Sequence, residues 1–255
     1  MKSSSYLFLV IISALIGGYF WWKPKQAVSE SRSIQALIVG TSSDFPPFSS
    51  RENDQLVGFD IDVIKEVARR LDKPIEMQDM PFETLLSAAQ LGSIQVIAAG
   101  LSMTPERAQQ ILFARPHYSG DPLVMVSVRQ NPVNSFEELG QKRVVVNEGY
   151  VADMYITSHG LPHMVRLKTV SDALLALQAG HADVFVTAYS VIKPFFDQQN
   201  AQLFTYQVIP DTDEAYAFAI SKQFPEIAQD IDRVIQQMIQ DGTIEQYKKK
   251  WGLSA

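Results

Sequence analysis

Two stretches of this 255-residue chain echo one another: "LLSAAQLGSIQVIAA" (85–99) and "LLALQAGHADVFVTA" (174–188). Each reads as a helix, a glycine and a short apolar strand. Glycine after the last apolar-periodic residue stops a helix, because its backbone enters the left-handed region without a Cβ clash. The strands lack a polar face, so they need cover on both sides, as in a sheet with helices packed against it. One such unit used twice predicts an α/β chain built as two similar halves.

The rest of the chain fits that frame. "IQALIVGT" (34–41) and "PIEMQDM" (74–80) read as strands. Between them "GFDIDVIKEVARRL" (58–71) reads as a helix with Phe59, Val63, Ile64, Val67 and Leu71 on one face and Asp60 and Asp62 at its positive end. "PFETLLSAAQLG" (81–92) starts on proline and ends on glycine. In the second half "RVVVNEGYVADMYI" (143–156) reads as strand, glycine turn and helix, and "VSDALLALQAG" (170–180) as a helix capped by Ser171. "PLVMVSVRQ" (122–130) and "LFTYQVIPD" (203–211) are extended segments suited to crossing between the halves, with hinges expected at about 122–130 and 203–213. The end of the chain predicts two helices separated at Asp241-Gly242, returning to the first half. Residues 30–126 with 212–255 are thus expected to form one lobe and 127–211 the other, with a ligand cleft between them.

The apolar run "YLFLVIISALIGGYFWW" (6–22), flanked by lysines, lies outside this pattern. It suits a cleaved signal peptide, with "AVS" (27–29) as the cleavage site, or a retained anchor holding the body at a membrane. Either implies export to the periplasm. Without residues 1–29, which hold three lysines and no acid, 19 basic side chains face 28 acidic ones, a formal charge of −9. That balance gives no attraction for nucleic acid. The absence of cysteine excludes disulfides and thiolate metal sites. His159 and His163 are four apart, but Gly160 and Pro162 break any helix between them, so no metal site is expected.

"GLSMTPER" (100–107) poses a sharper question. Thr104-Pro105 predicts a helix start. Arg107 then falls in the first turn, where the macrodipole disfavours a cation. Either it is a solvated side chain beside Glu106, or its guanidinium joins the helix N–H groups in holding an anion.

The ordered set "VGTSSDFPPF" (39–48), "GFDIDV" (58–63), "PFETLLSAAQLGSIQVIAAGLSMTPER" (81–107), "EGYVADMY" (148–155), "LQAGHADV" (177–184) and "DGTIEQYKKKWG" (241–252) resembles the periplasmic binding proteins for polar amino acids that feed ABC importers. The resemblance implies the type II periplasmic-binding-protein fold, two α/β lobes joined by two hinge strands and closing over a ligand. It also implies an importer permease as partner, no cofactor, a monomeric receptor and no catalysis. Arg107 then pairs bidentately with the ligand α-carboxylate, helped by Ser102 and the backbone of Gly100, Leu101 and Ser102. Phe45 and Phe82 become walls for the ligand side chain, while Phe48 and Phe59 fall to the core. The turn Glu148, Gly149, Tyr150 and Val151 faces the carboxylate from the other lobe, with Tyr150 and Val151 where the family commonly has threonine.

Ala188 stands where the family carries an aspartate for the ligand ammonium, so either Glu148, Glu214 or Asp44 replaces it or the ligand is not a standard α-amino acid. Ser42 stands where basic-ligand members often have an acid, so arginine is one expected ligand among several. An alternative is an enzyme resembling the cyclohexadienyl dehydratases, which share the scaffold and need a general acid in the cleft, a role open to Glu148 or Glu214.

Overall fold

The computed structural model describes residues 35–196 and 202–254; the expected signal or anchor segment at 6–22 and the site at 27–29 lie outside them. Among the described residues no helix is long and apolar enough to cross a membrane.

Two five-stranded sheets carry the fold. In the first the order is Ile75–Asp79, Leu37–Thr41, Val96–Ile97, Ala219–Ile220, Leu112–Phe113. The first three strands run parallel, and Ala219–Ile220 is antiparallel to both its neighbours. The second sheet repeats the plan as Met164–Leu167, Val144–Asn147, Val184–Ala188, Leu123–Val128, Phe204–Val208, again with three parallel strands and then antiparallel ones. Each half thus orders its parallel strands second, first, third. The echoed helix–strand units are Phe82–Leu91 with Val96–Ile97 and Val170–Gln178 with Val184–Ala188.

Helix Phe59–Arg70 buries Phe59, Val63, Ile64 and Val67 as its periodicity requires. Helix Phe82–Leu91 stops at Gly92, which is left-handed at φ 75°. Helix Val170–Gln178 is capped two residues earlier than expected. Thr169 is extended and its hydroxyl accepts the Asp172 N–H at 3.0 Å, whereas Ser171 already lies inside the helix. Helices Pro225–Gln240 and Thr243–Lys250 return to the first lobe. The former buries Ile227, Ile231, Val234, Ile235 and Met238, and Arg70 ties to Asp241 at 2.7 Å.

Strand Leu123–Val128, expected as a crossing segment, lies within the second sheet. Leu123–Val128 and Phe204–Val208 are adjacent strands of the second sheet, so residues 123–126 belong with that lobe and not with the first. The chain passes between the sheets on a two-stranded ribbon, Tyr118–Asp121 against Glu214–Tyr216, with Glu214 opposite Asp121. Strand periodicity cannot separate a hinge strand from a sheet strand, because both are extended and apolar.

Candidate functional site

The one-turn helix Pro105–Ala108 is capped by Thr104, whose side-chain oxygen accepts the Arg107 N–H at 3.2 Å. Arg107 is only 6% exposed, and among the described residues no carboxylate pairs with it. Its Nη1 donates to the Ser102 carbonyl at 2.8 Å and its Nη2 to the Gly149 carbonyl at 2.9 Å. The first bond stays within its own lobe and the second crosses to the other. Burial lowers its pKa, and Glu214 and Tyr216 nearby oppose that shift. A buried cation satisfied only by backbone carbonyls is poised for an anion, since such bonds neutralise no charge.

Glu214 lines the same cavity at 8% exposure. The Ser102 hydroxyl donates to its Oε2. Burial pushes its carboxyl up to about 8, with Asp121 raising it further and the Ser102 bond and Arg107 holding it down. Behind it, across the two-stranded ribbon, Asp121 accepts from the Tyr216 hydroxyl at 2.7 Å and from the Ser190 N–H at 2.9 Å.

Aromatic rings form the opposite wall. Tyr150, the N-cap of helix Val151–Ser158, meets Phe45 edge-on at 5.1 Å between centroids and Phe82 at 4.3 Å. Gly100 lies beneath Phe45. It is left-handed at φ 60°, and a Cβ there would stand 2.4 Å from the Phe45 ring, so only glycine fits.

The loop bearing Gly100 is held from behind by Asp60. This carboxylate reads in the sequence as a helix-start acid, but it is 1% exposed. It accepts the Gly100 N–H at 2.7 Å and sits 2.9 Å from His117 Nε2. Asp60→Ala leaves both partners buried and unpaired. It should cost about 2–5 kcal/mol of stability, read from urea unfolding; a loss below about 1 kcal/mol would show that the contact contributes little.

Of the residues singled out from the sequence, Phe45, Phe82, Gly100, Ser102, Arg107, Tyr150 and Val151 line the cavity. Ala188 and Glu214 do too, joined by Ala152 and Thr187, which sequence reading did not pick out. Thr187 Oγ1 is buried without a hydrogen-bond partner. Its position beside Ala188 was the available signal.

The others sit elsewhere. Ser42 is buried and its carbonyl accepts the Ser49 hydroxyl at 2.6 Å. Leu101 packs in the core under the first sheet. Gly149 contributes its carbonyl to Arg107, and its N–H donates to Asp153 at 3.0 Å. Glu148 is outside the lining and turns its charge toward Arg166 and Lys168. The reason is local: Arg166 lies on the neighbouring strand Met164–Leu167 and Lys168 just after it, where the Glu148 N–H donates to the Leu167 carbonyl at 3.0 Å. Asp44 lies behind the wall, one oxygen unpartnered, its carboxyl pushed up to about 7 by burial. His159 is exposed with its Nδ1 2.8 Å from the Tyr155 carbonyl, and among the described residues no cluster suited to a metal ion occurs.

Comparison with known proteins agrees with the two-lobed fold. Residues 37–254 match the model of bacterial extracellular solute-binding proteins, family 3. The arginine-binding extracellular protein ArtP of Bacillus subtilis (strain 168) is 28% identical over 221 residues, 84% of this chain and 85% of ArtP. A mutant ArgBP from T. maritima superposes with a TM-score of 0.80 at 29% identity, covering 88% of this chain and 97% of that one. The ancestral amino acid-binding protein AncCDT-1, a precursor of cyclohexadienyl dehydratase, superposes with a TM-score of 0.76 at 27% identity, covering 85% and 95%. The chain belongs to the bacterial extracellular solute-binding proteins, family 3.

Proposed function

We propose that this protein is the extracytoplasmic receptor of an ABC importer, that it captures one amino acid by hinge closure, and that it is not an enzyme. The observation that carries the reading is Arg107, buried in the cleft, hydrogen-bonded to backbone of both lobes and unpaired with any described carboxylate. A ligand α-carboxylate entering there receives the guanidinium fork in a desolvated site. Glu214 supplies the opposite charge for the ligand ammonium, the role that Ala188 cannot fill. Isothermal titration with the twenty amino acids tests the proposal, and a carboxylate ligand lacking an ammonium that outcompetes all of them would overturn the amino-acid assignment. Scattering at saturating ligand should give a smaller radius of gyration, and an unchanged radius with a ligand proven to bind would reject hinge closure.

A second reading is favoured by Glu214 itself. A carboxyl held up to about 8 by burial stays protonated at neutral pH, the state a general acid needs. A dehydratase resembling that of the AncCDT-1 lineage would use it to protonate the hydroxyl that leaves as water while the substrate loses CO2, the pair from the broken C–C bond completing the aromatic ring. Turnover of prephenate, followed by absorbance, separates the two readings; an active preparation that loses turnover in Glu214→Gln would favour the enzyme.

A further inference from the structure

The space between Phe45 and Phe82, expected to take the ligand side chain, holds protein. Tyr150 enters it from the second lobe, its ring edge-on to Phe45 and 4.3 Å from Phe82. The ring is buried on all sides, and its hydroxyl has no hydrogen-bond partner. The preceding residue, Gly149, is fixed through both of its backbone polar groups. The Gly149 carbonyl is tied to Arg107 and the Gly149 N–H to Asp153, which Arg166 holds at 2.8 Å. The ring comes from the second lobe and its two walls, Phe45 and Phe82, from the first, so these contacts span the lobes.

We propose that Tyr150 limits the ligand to an amino acid with a side chain no larger than that of serine, by occupying the side-chain compartment in the closed protein. This rests on the amino-acid reading above. A long side chain would have to share the slot with the ring, which blocks closure, or evict it, which breaks its contacts with Phe45 and Phe82. A short one needs only the space left beside Arg107, Thr187 and Ala188. The unpartnered oxygens of Thr187 and Tyr150 favour a short polar group over a long apolar one, because each buried oxygen gains from a partner.

Calorimetric titration of alanine, serine, glutamine and arginine against the unaltered chain, Tyr150→Phe and Tyr150→Ala tests this. The unaltered chain should prefer alanine or serine over glutamine and arginine by about 100-fold. Tyr150→Phe keeps the ring and should keep that ranking. Tyr150→Ala empties the slot and should tighten glutamine or arginine by about tenfold or more. Arginine or glutamine binding the unaltered chain as tightly as serine overturns the proposal and leaves the amino-acid reading standing. So does Tyr150→Ala with no gain for the long ligands. Should Tyr150→Ala not fold, the ranking on the unaltered chain and on Tyr150→Phe decides alone. If none of the four amino acids binds any form, and no other amino acid does, both readings fall together.

Discussion

Arg107→Ala should weaken binding of the preferred amino acid by about 2–5 kcal/mol, some thirtyfold to several thousandfold. The size follows from what is left behind. The ligand carboxylate enters a cavity whose lining, among the described residues, holds no cation besides Arg107 and carries the acid Glu214, so without the guanidinium it is desolvated and unpaired. The variant also loses the Nη2 bond to the Gly149 carbonyl, a contact between the lobes. Arg107→Lys should recover only part, because an ammonium is a point donor that cannot hold two carboxylate oxygens in a plane while also reaching both lobes. Titration calorimetry on the three forms measures the series. Binding to Arg107→Ala within threefold of the unaltered chain would remove the carboxylate role, since uncharged backbone donors would then suffice.

That prediction was reachable from the sequence because it depends on local signals. Thr104-Pro105 fixes the helix start, the helix start fixes where Arg107 sits, and a cation in that position demands a reason. The alternation of helices and strands and the glycine stops were legible for the same cause, since each is set within about a dozen residues. What escaped depends on partners far along the chain. Asp60 looks like any acid in a first turn until folding brings it to His117 and Gly100, 57 and 40 residues on. Glu148 was a candidate ammonium partner because it adjoins the glycine turn, yet Arg166 on the neighbouring strand and Lys168 just after it face its charge. Tyr150 was placed at the cleft, but only the assembled lobes show that it fills the slot between two phenylalanines more than 60 residues upstream. The place of Leu123–Val128 in the second sheet was not legible because extended apolar chain looks alike whether it lies in a sheet or between sheets.

Glu214→Gln should abolish amino-acid binding, while Glu148→Gln should leave it unchanged. In the ligand-free protein the Glu214 carboxyl is pushed up to about 8, well above the ordinary 4.5, chiefly by burial. A ligand ammonium stabilises its ionised form, so at pH 7 binding should release most of one proton into solution. Calorimetry in buffers of different ionisation enthalpy reads that number directly, and affinity should rise with pH up to about 8. The same shift bears on stability. The folded form holds a proton that the unfolded chain gives up near pH 4.5, so the ligand-free protein should lose stability as pH rises from about 4.5 to about 8 and level off above. Glu214→Gln should flatten that slope. Ala188→Asp then reports the ligand class. In the Glu214→Gln background it restores a carboxylate to the cavity wall and should recover part of the binding of an amino acid. In the unaltered chain it sets two acids against one ammonium and should weaken binding. If the ligand lacks an ammonium, no proton is released, Glu214→Gln binds as well as the unaltered chain, and Ala188→Asp weakens binding in both backgrounds because its carboxylate has no partner.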